Sequence, residues 1–210
     1  MFGIHHYWLF VLSGLLLNLV PGQDTLYILG RSIAQGRRAG ILSVLGISTG
    51  CLVHTLAAAF GLSALLVASS QAFTAVKLIG AAYLLYLGLR MLASGSAAPA
   101  AQAESRPVAS DGAIYRQGIL TNVLNPKVAL FFLALLPQFI DAQCSAKVMA
   151  FLILGLTFIV NGTLWCILVA CFAASFSRRL RERPAIETWL KRTAGAVFIG
   201  LGLKLALVRR

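Results

Sequence analysis

GLLLNLVPGQDTL (Gly14–Leu26) and GILTNVLNPKVAL (Gly118–Leu130) lie 104 residues apart, and Gly14, Leu16, Asn18 and Leu26 of the first match Gly118, Leu120, Asn122 and Leu130 of the second. Each stretch interrupts an apolar run, with Pro21 and Gly22 in the first and Asn125 and Pro126 in the second. Proline removes a backbone donor and clashes with the preceding turn, which leaves carbonyls without partners. Inside a hydrocarbon core such groups are tolerated only where protein or a water-filled cavity satisfies them. The meaning of the repeat therefore depends on the solvent around it.

Composition settles the solvent. Of 210 residues, 59% are hydrophobic and 11% charged, and the mean hydropathy is +0.86. A soluble domain carries roughly 25% charged residues. Six segments are long enough to cross a hydrocarbon core of about 30 Å: Trp8–Leu29, Ile41–Ala68, Phe73–Leu92, Arg116–Ile140, Lys147–Phe176 and Trp189–Val208. The reading is an all-α polytopic membrane protein with six transmembrane helices, the first and fourth of them broken. The start, MFGIHHYW, has no Lys or Arg and no small-residue cleavage site after its apolar run, so the first segment is read as a span rather than a signal peptide.

Between the third and fourth spans, SGSAAPAAQAESRPVASDG (residues 94–112) is small, polar and aperiodic. It divides the chain into a first three-helix repeat (1–93), a flexible cytoplasmic linker (94–114) and a second repeat (115–210). A weaker echo, LGLR (Leu87–Arg90) over LGLK (Leu201–Lys204), joins the third and sixth spans. With an odd number of spans per half, the halves enter the membrane in opposite directions, the inverted-repeat plan of many secondary transporters.

Charge orients the chain. Twelve Lys and Arg residues fall in the loops after spans one, three and five, Arg31, Arg37 and Arg38 among them, and five fall on the other side. The positive-inside rule then places both termini outside the cytoplasm. The net charge of +12 is explained by this clustering at span ends; no basic stripe with interleaved aromatics suggests nucleic acid. The four cysteines lack zinc or redox spacing and read as packing residues. No phosphate loop and no set of nucleophile, base and carboxylate is visible, so neither an enzyme nor an ATP-driven pump is expected, and no cofactor.

Of six carboxylates, only Asp24 is deep in a span. A charge at a helix centre costs about 2.5–3.5 kcal/mol on insertion scales, so it lines a cavity or has a partner. Lys127 is the basic residue at comparable depth, and the repeat makes it the mate of Gln23. Asn125 followed by Pro126 reads as an N-cap and first helical position, opening a half-helix whose N-terminus can hold a carboxylate. The candidate substrate-binding residues are Asn18, Pro21, Gly22, Gln23, Asp24, Asn122, Asn125, Pro126 and Lys127, with Asp24 also the proton-coupling residue. A carboxylate, an ammonium and two half-helix ends around one cavity suit a zwitterion.

Other readings stand beside these. Asp24 can cap the helix after Gly22, Lys127 can snorkel to the surface, and Asn18 and Asn122 can bond neighbouring helices. His54 is either a histidine bonded to a neighbouring helix or a proton relay. Cys51 and His54 hint only weakly at a metal, and no metal site is assigned. Gly46 and Gly50, a GxxxG pair, seat a neighbouring helix.

PGQDTLYILGRSIAQGRRAG, GISTGCLVHTLAAAFGLSALL, KLIGAAYLLYLGLRML and YRQGILTNVLNPKVALFFLALLPQFI together resemble the LysE/RhtB superfamily of bacterial amino-acid exporters. Gln23 stands where that family's first motif usually has a second proline, which leaves Asp24 in register. The resemblance implies a bacterial inner-membrane carrier exporting amino acids or their derivatives by proton antiport. Its partners would be a small-molecule amino acid, the proton and the lipid bilayer. The rivals are a cadmium-like metal-efflux carrier or channel of the same superfamily and a non-transporting scaffold or receptor. The sequence leaves the oligomeric state open, a homo-oligomer included.

Overall fold

A computed structural model describes residues 2–64, 70–93, 109–141, 143–173 and 184–207. The expected linker falls mostly outside them, as do the basic cluster 178–183 and Arg209 and Arg210. Among the described residues seven helices run in the order α1 (Tyr7–Leu19), α2 (Gln23–Leu56), α3 (Ser70–Ala93), α4 (Asp111–Val123), α5 (Pro126–Leu135), α6 (Lys147–Cys171) and α7 (Pro184–Leu207). A π-helical stretch (Ala57–Leu62) prolongs α2 and a 3-10 turn (Leu136–Phe139) prolongs α5. This is an all-α polytopic membrane fold. The stretches Gln23–Leu62 and Lys147–Cys171 are long and apolar enough to cross a bilayer, and α4 with the 126–139 stretch, bent by 48° at the break between them, passes the same test as a pair, either as a broken span or as a re-entrant loop.

The stretch Gln23–Leu62, 40 residues, would reach about 60 Å as a straight helix, twice a hydrocarbon core. It reverses at Gly36 instead, whose φ of 82° and ψ of −179° belong to a region essentially reserved for glycine. Ser32 packs directly on Gly40, a pair that a continuous helix would hold about 12 Å apart. The sequence reading placed a loop at residues 30–40; the chain spends one glycine there, and the first arm of α2 stays helical to Gln35. Arg31, counted with that loop, is a buried residue of the first arm. Helix α4 likewise begins at Asp111, before the expected end of the linker, because Ser110 supplies an N-cap oxygen to Ala113 N.

Both arms of α2 pack on α4. The second arm does so through glycines: a side chain at Gly46 would strike the Tyr115 carbonyl, and one at Gly50 would lie 2.8 Å from both Asn122 Cβ and Ile119 O. The GxxxG pair thus seats a neighbouring helix of the same chain. Helices α3 and α7 meet at Gly88, against Ile199 and the Gly195 carbonyl, and at Gly202, against Leu85 and the Ala81 carbonyl. Phe10, Phe131, Phe132, Phe139 and Phe158 interlock in the core between α1, α5 and α6. At one end of the molecule the N-terminal residues bridge Ile140, with His5 N donating to Phe139 O and Asp141 N to Gly3 O. The Gly36 turn and residues 109–111 lie at the opposite end, joined by the exposed Arg38–Asp111 ion pair.

Candidate functional site

The two breaks meet. Helix α1 ends where Val20 turns extended ahead of Pro21, and α2 starts after Gly22, so the last carbonyls of α1 have no helical donors. The Lys127 ammonium fills this gap, donating to Leu17 O at 2.7 Å and Val20 O at 2.8 Å. It points inward and does not snorkel. At the other break, Asn125 is the N-cap of α5 and Pro126 its first residue, as their order in the sequence predicts, and the Asn125 side chain accepts from Lys127 N at 3.0 Å. Asn122, at the end of α4, donates from Nδ2 to Asp24 Oδ2 at 2.8 Å. Each break is thus held by a side chain from the other: Lys127 holds the end of α1, and Asp24, in the first turn of α2, holds the end of α4.

These residues wall a small, partly open cavity. Asn18, Gly22, Asp24, Asn122, Asn125 and Lys127 line it, while Pro21, Gln23 and Pro126 do not. Gln23, the repeat mate of Lys127, is exposed. Asp24 accepts its hydrogen bond from Asn122 of α4 and none from a backbone N–H of its own helix. Its Oδ1 is buried without a hydrogen-bond partner, and so are Asn122 Oδ1 and Asn18 Nδ2. Asp24 and Lys127 share the cavity without an ion pair between them. His54 lies behind it, its Nε2 3.1 Å from the Asn122 carbonyl and its ring 5.8 Å from that of Phe132. Among the described residues, no three His, Cys, Asp or Glu side chains gather as a metal-holding group.

Sequence reasoning missed the wall supplied by the second arm of α2 and by α6. Ser48 and Thr163 both line the cavity and bond each other at 2.7 Å. Asn18 packs on Gly162 of α6 as Asn122 packs on Gly50 of α2. Hydroxyls inside the apolar runs of the second and fifth spans were the available signal. Ile47, Val128, Phe158 and Ile159 complete an apolar side.

The family model described as LysE type translocator matches residues 15–209, which takes in both breaks, the cavity and all seven helices except the start of α1. The chain belongs to the LysE translocator family. Members of this family are transporters rather than catalysts, and this LysE-type protein is a multi-pass inner-membrane protein. It is 32% identical over 205 residues to an uncharacterized membrane protein of Vibrio cholerae, covering 97% of this chain and 98% of that one. It is 31% identical over 210 residues to one of Pseudomonas aeruginosa, covering 97% and 96%. The leucine efflux protein of Salmonella typhimurium is 26% identical over 208 residues, covering 99% and 98%. No solved structure matches.

Proposed function

We propose that this LysE-type translocator exports amino acids or amino-acid derivatives across the inner membrane in exchange for protons, with the cavity between the two breaks as its substrate site. The observation that carries the reading is the pair of buried acceptors without partners, Asp24 Oδ1 and Asn122 Oδ1, beside a buried free donor, Asn18 Nδ2. Buried polar groups are ordinarily satisfied, so each of these awaits a ligand atom. An α-ammonium gives its protons to the two acceptors. A carboxylate takes the Asn18 amide and the one N–H of Lys127 not already bonded to α1. The apolar side receives a branched aliphatic chain, in keeping with relatives named for leucine efflux.

Coupling follows from competition at one atom. Asp24 holds either the substrate ammonium or a proton, so release of one admits the other, and the site crosses the membrane occupied in both directions. The metal-efflux rival needs a cluster of soft ligands and the scaffold rival needs no buried charge; a carboxylate flanked by amides favours an amine-bearing cargo over both.

The proposal includes two inverted three-helix repeats, residues 1–93 and 115–210, joined through 94–114, with both termini extracytoplasmic. Its support is the paired packing described above: Asn18 on Gly162 answers Asn122 on Gly50, and Gly88 on α7 answers Gly202 on α3. Proteoliposomes loaded with L-leucine test the function. The wild type should lose leucine faster when a proton gradient is imposed, whereas Asp24→Asn should insert and fail to respond. Gradient-dependent efflux by Asp24→Asn at the wild-type rate would remove Asp24 from the coupling step.

A further inference from the structure

Arg31 is 6% exposed, and its environment is unusual for a buried cation. Its Nη1 donates to Gln35 Oε1 at 2.7 Å and its Nη2 to Gln117 Oε1 at 2.8 Å, and the guanidinium lies 5.8 Å from the centre of the Tyr27 ring. Its Nε is buried with no hydrogen-bond partner. Among the described residues no carboxylate pairs with it; the ion pair found there is the surface one between Arg38 and Asp111. A guanidinium buried among neutral groups alone is costly, and an intramembrane charge of this kind marks a ligand path.

The placement says which path. Arg31 follows Asp24 by seven residues, close to two helical turns, so both lie on the face of the first arm that meets α4. Along this antiparallel seam Asp24 bonds Asn122, Arg31 bonds Gln117, and Gln35 bonds Ala109. Tyr27, its hydroxyl donating to Ile114 O at 2.7 Å, fills the seam between Arg31 and the cavity. Two amide oxygens, one on each Nη, occupy the positions where the two oxygens of a carboxylate would make a bidentate pair.

We infer that Arg31 is a second, carboxylate-binding station for the cargo, between the Gly36 end and the Asp24 cavity, and that its occupation unlatches the seam. This rests on the proposed export of amino acids for the cargo's identity, though any small carboxylate shares the chemistry. The bonds now made carry charge on the donor alone, whereas a carboxylate adds charge on the acceptor and a two-oxygen fork, so an arriving carboxylate displaces Gln35 and Gln117. Gln35 is also a clasp: its Nε2 donates to Ala109 O at 3.0 Å and its Oε1 accepts from Ala109 N at 3.3 Å. Drawing Gln35 off Arg31 loosens the chain at the start of α4.

Hydrogen–deuterium exchange of the full-length protein tests this with four probes at matched ionic strength: L-leucine, 4-methylpentanoate (leucine without its ammonium), leucinol (leucine without its carboxylate) and sodium chloride. Both carboxylates should speed exchange at residues 109–113 about tenfold, the size expected for losing one or two net hydrogen bonds. Leucinol and chloride should not. Arg31→Lys, which cannot form the fork, should lose the response. Gln117→Glu, which supplies a resident carboxylate to the guanidinium, should lose it too while melting higher than wild type, so a folded variant is available if Arg31→Lys fails to fold. No acceleration with either carboxylate, equal acceleration with leucinol, or an undiminished response in the variants overturns the station. The cavity reading fails separately, if leucine leaves exchange at 122–128 unchanged while 4-methylpentanoate still frees 109–113.

Discussion

Gly50→Ala is the sharpest probe of the site because it adds one methyl group at a place where the structure has none to spare. The new Cβ would lie 2.8 Å from Asn122 Cβ and 2.8 Å from Ile119 O. Carbon atoms rest comfortably at about 3.5–4.0 Å, so α4 must withdraw by about 0.7 Å or more. The Asn122–Asp24 bond, now 2.8 Å, then stretches to about 3.5 Å, beyond the useful range for a hydrogen bond. A bond to a charged group is worth about 1.5–3 kcal/mol, so a ligand that needs Asp24 in place should bind about 10- to 150-fold more weakly. Gly162→Ala is the matched control in the other half. Its Cβ would meet Asn18 Nδ2 at 3.2 Å, the free end of a side chain that can give by a few tenths of an ångström. A cost of about 0.5 kcal/mol there corresponds to roughly a twofold change. Titration calorimetry of L-leucine into the purified variants, beside their melting temperatures, separates a damaged site from a damaged fold. Wild-type affinity in Gly50→Ala, at an unchanged melting temperature, would refute the claim that Asn122 positions Asp24 for the ligand.

Four further outcomes are expected. Gly36→Ala meets no atom within 4 Å, so its cost is the backbone conformation alone, about 1–3 kcal/mol, and the melting temperature should fall by about 2 °C or more; no fall would mean the turn relaxes freely. Lys127→Met leaves the Leu17 and Val20 carbonyls without a donor at about 1–3 kcal/mol each, while Lys127→Arg keeps donors there, so thermal stability should order wild type, Arg, Met. Pro126→Ala should weaken leucine binding by disturbing the start of α5, and combine less than additively with Lys127→Met; strict additivity would place the bound ligand away from this junction. Single cysteines at Gly36 and Gln143, in a cysteine-free background, should label from opposite sides of the membrane, Gly36→Cys from the cytoplasm only; labelling of Gly36→Cys in intact cells by an impermeant reagent would reverse the proposed orientation.

What the sequence disclosed was whatever depends on neighbours in the chain. Asn125 and Pro126 announce a helix start because capping and the missing proline N–H are local chemistry, and Asp24 stands out because the other carboxylates lie in loops or at span ends. The Gly36 reversal was hidden: QGRR reads as a polar loop, and only its backbone angles show that a single residue makes the turn. Partners far along the chain were hidden as well. Nothing near Lys127 in the sequence says that its ammonium will rest on carbonyls 107 and 110 residues earlier. Arg31 was misread for the same reason, since its amide partner Gln117 reaches it only when the first arm of α2 lies against α4.

The reciprocal bracing of the two breaks also bears on how such a chain can be made and divided. Residues 1–93 expressed alone would carry the carbonyls of Leu17 and Val20 bare into the bilayer, and 115–210 alone would carry an ammonium there with nothing to hold. Each completes the other as the two pieces of a split reporter do, so during synthesis the N-terminal piece has to wait for the rest of the chain, shielded by the insertion machinery or by a second copy.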